Sequence, residues 1–346
     1  MNPTLVEVLR GAALESAHRG ALIVVDADGA TLAQLGDVDR PVFARSAVKA
    51  LQALPLVESG AADRLGLVQE ELAIVCASHN GEPEHVRTVA GMLFKAGVDA
   101  SVLECGIQWP KEGFDRKLAG RGEVATPLHN NCSGKHAGFV CLGCMLAAGS
   151  GDSGDLPKFL SGYVAVDHPV MREVTAALQS TTGFDPASAP CGVDGCSIPT
   201  FGIELRRLAR AFARFGSGVG LRDAHRLAAR RLRSAVAAAP FMVAGSDRFD
   251  TQVMARFGER VFCKVGAEGV YCAALPDRGL GVAIKIDDGQ ARAAEVVMAT
   301  VIAALVEMDS SEGRMIEALS RPVLLNRNGI AVGGLRPSAD LLGGLV

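Results

Sequence analysis

The chain reads as an α+β protein, with an antiparallel sheet formed from both chain ends and a mostly helical region between them. Two observations predict this. Short apolar runs bounded by turn residues fall near the start and again after residue 260, while the middle carries apolar residues at helical spacing. Strict strand–helix alternation is absent, which disfavours a doubly wound parallel sheet. The expected organisation is a single unit over 1–346, sheet-rich at about 10–130 and 240–346 and helical at about 131–239.

Each element has a local reason. Ala21–Asp26 is a buried-strand pattern. The turn Asp26-Ala27-Asp28-Gly29 and a second run through Leu32 and Leu35 follow, which together predict a hairpin. From Ser46 to Leu56, Val48, Leu51, Leu54 and Leu56 recur at roughly helical spacing, with Ser46 at the expected N-terminus. Leu72–Ala77 reads as a strand ending at Ser78-His79-Asn80-Gly81, and Glu82-Pro83-Glu84 as a helix entrance. Gly134–Leu146 is an apolar helix, too short and too flanked by Lys135 and His136 to span a membrane. Gly149–Asp155 is a linker. Further helices are expected at Pro169–Gln179, Gly202–Phe215, Leu221–Ala237 and Ala291–Val306, and strands at Arg260–Lys264, Val270–Ala274 and Gly281–Ile286.

Composition excludes several classes. With 35 basic and 38 acidic residues the net charge is −3, which argues against a chain built to bind nucleic acid. The arginines between Arg206 and Arg233 read as the solvated face of two amphipathic helices. No run approaches the ~18 uncharged apolar residues of a membrane helix, and Met1-Asn2-Pro3-Thr4 starts no secretory pattern. Nine cysteines, an odd count without regular pairs, fit a reducing compartment. A cytoplasmic protein is expected.

Three short motifs carry chemistry. Ser46-Ala-Val-Lys49, Ser78-His79-Asn80 and Lys264-Val265-Gly266 fall in the order of the S-x-x-K, S-D-N and K-T-G set of serine acyl-transfer enzymes, in degenerate form. Serine attacks once a base takes its proton, and Lys49 lies one helical turn after Ser46. Each motif alone has a plain structural reading: an N-capping serine, a turn before a helix, a surface strand end. Their shared order is what signals an acyl-transfer centre.

Four stretches together extend this. Arg45-Ser46-Ala-Val-Lys49, Cys76-Ala77-Ser78-His79-Asn80-Gly81-Glu82, Asn130-Asn131-Cys132-Ser133-Gly134-Lys135-His136 and Pro190-Cys191-Gly192-Val193-Asp194-Gly195-Cys196 resemble the rhizobial-type (class 3) L-asparaginases of the asparaginase II family. The resemblance runs from about residue 10 nearly to the C-terminus. It implies a fold similar to serine β-lactamases and glutaminases, a homodimer, and hydrolysis of L-asparagine to aspartate and ammonia through a seryl acyl-enzyme. Carried over by position, Ser46 and Lys49 form one Ser-Lys tandem and Ser78 with Lys264 the second, with Ser46 favoured as nucleophile. Arg45 and Asn80 are the candidates to hold the substrate. His79 and Asp194 are placed among its contacts, and the loop at Gly245-Ser246 lines the site. The resemblance also implies zinc on Cys132, Lys135 and Cys191, tuning the site rather than supplying the nucleophile. Cys196, His136 and Asp194 are alternative ligands or supports.

His79 and Val265 depart from the Asp and Thr of the β-lactamase pattern, and only 32 positions (78 − 46) separate the two serines. That favours small amides over penicillins. A glutaminase or another β-lactamase-like amidohydrolase is the alternative enzyme. A zinc-dependent regulatory or nucleic-acid-binding protein is the rival of another class. Cys141-Leu142-Gly143-Cys144 lies inside the apolar helix and reads as core.

Overall fold

The computed structural model describes residues 1–110, 113–150 and 155–345, so most of the linker read at Gly149–Asp155 lies outside the described residues. Its strands are β1 (Thr4–Arg10), β2 (Ala13–Asp26), β3 (Thr31–Leu35), β4 (Pro41–Phe43), β5 (Cys191–Val193), β6 (Pro199–Glu204), β7 (Phe262–Val265), β8 (Val270–Leu275), β9 (Leu280–Ile286), β10 (Val323–Leu325) and β11 (Ala331–Pro337). The chain divides into two compact units. One comprises Met1–Ala47, Gly202–Gly220 and Cys263–Val346, the other Val48–Phe201 and Leu221–Phe262.

The first unit is built on an antiparallel sheet in the order β10-β11-β1-β2-β9-β8-β7, with β3 also paired to β2. Both chain ends enter it. β1 pairs with β11 in the register Val6↔Pro337 to Arg10↔Gly333, and β2 pairs with β9 from Gly20↔Ile286 to Asp26↔Leu280. The expected hairpin is present as β2–β3, where Asp26 Oδ1 accepts from the backbone N–H groups of Asp28, Gly29 and Ala30. β8 is buried along its whole length, with the helices Leu205–Ser217 and Ala291–Leu305 both packed on it. A strand covered on both faces loses the polar/apolar alternation of a half-exposed one. That is why β8 and β9 read as continuous apolar runs.

The second unit is helical. Among the described residues from Val48 to Pro190 there is no strand, so the helical region reaches further back than its sequence boundary suggests. The run Leu72–Ala77, expected to be a strand, is instead the helix Gln69–Ile74 and the turn after it. Glu71 decides this: its carboxylate accepts the Val68 N–H at 2.8 Å and the Lys95 ammonium at 2.6 Å, closing the first turn. An apolar run of that length fits a buried helix as well as a buried strand.

At the centre of this unit runs the helix Ser133–Ser150, packed by the helices Leu54–Glu58, Pro83–Lys95 and Pro169–Thr182. Its first turn lies against the end of Gln69–Ile74. A side chain at Gly134 would drive into the carbonyl of Ile74, so only glycine permits this approach. The approach brings residues 77–82 beside residues 130–135. No helix among the described residues is long and apolar enough to cross a membrane.

Candidate active site

In the helical unit, chemistry gathers around Lys49. It is the first residue of the helix Lys49–Gln52 and is 1% exposed. Its Nζ donates to Ala77 O at 2.6 Å, Ser78 Oγ at 2.9 Å and Cys132 Sγ at 3.1 Å. Ser78 is buried where the chain leaves the turn after Gln69–Ile74, its N–H bonded to Val243 O at 2.9 Å. Lys49 thus holds the serine of the second motif, whereas the resemblance pairs that serine with Lys264.

The segment after Ser78 is tied down at every residue. His79 is buried, with Nδ1 accepting from the Gly81 N–H at 3.1 Å and Nε2 lying 3.0 Å from Ser133 Oγ. Ser133 in turn donates to Leu128 O at 2.8 Å, which assigns the proton to Nε2. Burial, with smaller contributions from His85, Lys49 and His129, holds its pKa well below the usual imidazole value, so His79 is neutral. Both ring nitrogens serve the protein scaffold. Asn80 donates to Glu82 Oε1 and Ser246 O, each at 3.1 Å, and accepts from Arg248 Nη1 at 3.1 Å.

Glu82, which motif reading left without a role, ties the loop 245–248 to this segment. Its Oε1 accepts from Ser246 N at 2.7 Å and its Oε2 from Ser246 Oγ at 2.8 Å, although the residue is only 3% exposed. Gly245, at φ +101°, lets the two pieces close. A Cβ there would overlap the Glu82 carboxylate and lie 2.7 Å from Asn80 Nδ2. Asp247, two residues on, is also left-handed at φ +58°. No sequence signal marks a buried carboxylate in advance, because Glu82 sits where a solvated helix-entrance acid is equally natural.

Beside Lys49 lies a sulfur–amine cluster. Lys135 Nζ donates to Cys196 Sγ at 3.0 Å, and a Cys196 S–H bond to Cys132 lowers the Cys132 thiol well below its ordinary range, helped by Lys49 and Lys135. The same bond, with burial, pushes Cys196 up. Burial works against the Lys135 charge, yet the Cys132 and Cys196 sulfurs outweigh it and raise its pKa. Cys191, by contrast, is exposed on β5, its Sγ 3.8 Å from the carbonyl of its own neighbour Gly192. The structure therefore groups Cys132 and Lys135 with Cys196 and leaves Cys191 at the surface. Asp194 turns with this segment, its N–H bonded to Ile198 O at 2.9 Å. Among the described residues no three His, Cys, Asp or Glu side chains converge as a metal site.

The sheet unit carries the remaining motif residues. Arg45 is left-handed at φ +50° and opens the short 3-10 turn Arg45–Val48. Ser46 is half-buried in that turn and is not the cap of the helix that follows, whose N-cap is Val48. Lys264 on β7 is fully buried and donates to Val265 O at 2.9 Å. Gly266, ending the third motif, presses on the carbonyl of Ala44, the residue before Arg45, within this unit. A separate cavity of about 390 Å3 opens beside Gly81 in the helical unit, lined by Pro83, Arg87, Pro110 and Phe114 but not by Ser78 or Lys49.

The family model described as L-asparaginase II matches residues 6–337, nearly the whole chain. The chain belongs to the L-asparaginase II family. Among curated proteins none matches it. As an L-asparaginase II family member it is a hydrolase, an asparagine amidohydrolase acting on a small-molecule substrate. The Ser78–Lys49 contact and the Cys132–Lys135–Cys196 cluster therefore belong to an asparaginase.

Proposed function

We propose that this asparaginase hydrolyses L-asparagine through a seryl acyl-enzyme. The observation that carries the reading is the bond between two buried groups, Lys49 Nζ and Ser78 Oγ, at 2.9 Å. A lysine aimed at a serine hydroxyl in a dry site is the arrangement that activates a hydroxyl. Ser46, three residues before Lys49 in the chain, is the proposed nucleophile. Ser78 and Lys264 make the second Ser-Lys tandem, and Ser78 is held by Lys49 as well. Lysine takes the serine proton, the serine oxygen bonds to the side-chain amide carbon, and the proton passes to the nitrogen that leaves as ammonia. Water then adds to the ester and aspartate departs. Arg45, Asn80, Asp194 and the loop Gly245-Ser246 are the proposed substrate contacts. His79, bonded to the Gly81 N–H and to Ser133 Oγ, is assigned to holding the segment 79–82 in register.

The Cys132 thiolate, the Cys196 sulfur and the Lys135 amine offer two soft donors and one nitrogen, a set that suits zinc. When bound, zinc would supply a fixed positive charge that orients these three side chains. Binding would require Lys135 to lose its proton. Its role in this reading is modulatory. A homodimer, a β-lactamase- and glutaminase-like arrangement and a cytoplasmic location complete the reading.

Ammonia release from asparagine, measured beside glutamine and a chromogenic β-lactam, tests it. Ser46→Ala, Ser78→Ala, Lys49→Ala and Lys264→Ala are each expected to lose at least about a hundredfold in kcat/KM. Near wild-type rates in all four would overturn it.

A further inference from the structure

A third serine of this chain stands in a nucleophile–base–acid row that the asparaginase motifs do not use. Ser180, near the C-terminal end of the helix Pro169–Thr182, is exposed, and its Oγ lies 2.7 Å from His225 Nε2. His225, the third residue of the helix Asp223–Ala238, is 2% exposed, and its Nδ1 pairs with Oε1 of Glu58, the last residue of the helix Leu54–Glu58. Glu58 Oε2 accepts from Arg222 Nη2 at 2.6 Å, so both carboxylate oxygens are held.

The order of partners decides what this row does. A carboxylate on Nδ1 fixes that nitrogen as the N–H donor and turns the lone pair of Nε2 towards the serine hydroxyl. Ser180 Oγ also lies 3.0 Å from Ala177 O, a helical contact that competes for the same proton but leaves the oxygen in place. The helix Asp223–Ala238 begins without a side-chain cap, so the positive end of its dipole stands at the turn that carries His225. Ser180 itself lies at the opposite, negative end of its own helix, so the two dipoles oppose and the row is carried by the serine–histidine–carboxylate bonds.

We propose that Ser180 is a second acyl-accepting hydroxyl, activated by His225 and oriented through Glu58, that reacts with small activated esters. In the step, the Ser180 oxygen bonds to the ester carbonyl carbon and the carbon–oxygen bond to the leaving alcohol breaks. The serine proton moves to His225 Nε2 and from there to the departing oxygen. The open position of Ser180 suits a compact acyl donor.

The test uses the full chain and p-nitrophenyl acetate, with the acylated serines located by mass spectrometry after trypsin. Ser188 is an internal control. It lies with Ser180 between Arg172 and Arg206, is exposed, and bonds to Asp185 Oδ2 at 2.7 Å instead of to a histidine. Ser180 is expected to acetylate at least about tenfold faster than Ser188. His225→Gln and Glu58→Gln should bring the ratio towards one, while Ser180→Ala should remove the label and leave ammonia release from asparagine unchanged. A wild-type ratio near one overturns the proposal, whatever the variants do to folding. So does a ratio that survives both substitutions. Because ammonia release is read separately, failure here leaves the Ser-Lys reading standing.

Discussion

Glu82 is a buried carboxylate of the helical unit with three donors on it, and removing it separates loop positioning from chemistry. Its carboxylate accepts three bonds: Ser246 N at 2.7 Å, Ser246 Oγ at 2.8 Å and Asn80 Nδ2 at 3.1 Å. A hydrogen bond to a charged acceptor contributes about 1.5–3 kcal/mol and a neutral one about 0.5–1.5 kcal/mol. Glu82→Gln keeps one oxygen for Ser246 N and Asn80, and lets the Ser246 hydroxyl turn to accept from the new amide. It should therefore cost roughly 1–3 kcal/mol across the network. Glu82→Ala leaves all three donors without that acceptor and should cost roughly 3–6 kcal/mol, less where water enters. If the loop 245–248 and Asn80 present the substrate, part of this loss appears in kcat/KM, where about 1.4 kcal/mol is tenfold. The expected order is wild type above Gln, by about ten- to a hundredfold, and Gln above Ala. Ammonia release at several asparagine concentrations reads it, with denaturant unfolding run in parallel to show that the variants are folded. A Glu82→Ala enzyme with wild-type kcat/KM would refute the reasoning, because the network would then hold nothing the reaction needs.

Two further predictions follow from the cluster and the histidines. Metal content by elemental analysis should fall with Cys196→Ser and with Cys132→Ser but not with Cys191→Ser, since Cys191 stands apart at the surface. Retention by Cys196→Ser together with loss by Cys191→Ser would reverse the assignment. Acid stability is set in part by His79 and His85, whose pKa values burial depresses below 6.5. The unfolded chain binds protons on these rings below about pH 6.5, and the folded one binds them only at lower pH. Their stabilising contribution is therefore complete above that pH and lost as pH falls, by up to about 1.4 kcal/mol per pH unit for each ring. Denaturant unfolding between pH 7.5 and 5 should show a shallower slope in His79→Gln than in wild type, and equal slopes would contradict the neutral assignment.

Much of this was readable without a structure, and the rest was not for definite reasons. Residue types and local periodicity announce the hairpin at Ala21–Leu35, the helices at 169–182 and 223–238, and the serine–lysine motifs, because turn chemistry and burial patterns act over a few residues. The run Leu72–Ala77 was misleading because full burial erases the difference between helix and strand patterns. Ser46 matched a capping position by type, yet the left-handed Arg45 opens a 3-10 turn that places the serine before the helix.

By itself, then, the chain determined the chemistry available: two serines, two lysines, a cysteine-rich segment and an α+β layout. Tertiary structure alone decided the pairings. Lys49 meets Ser78 across 29 positions and Cys132 across 83, and Lys135 meets Cys196 across 61. β1 joins β11 from opposite ends of the chain. Such contacts follow from how closely whole elements pack, as where Gly134 admits the end of Gln69–Ile74, and no local pattern encodes that approach.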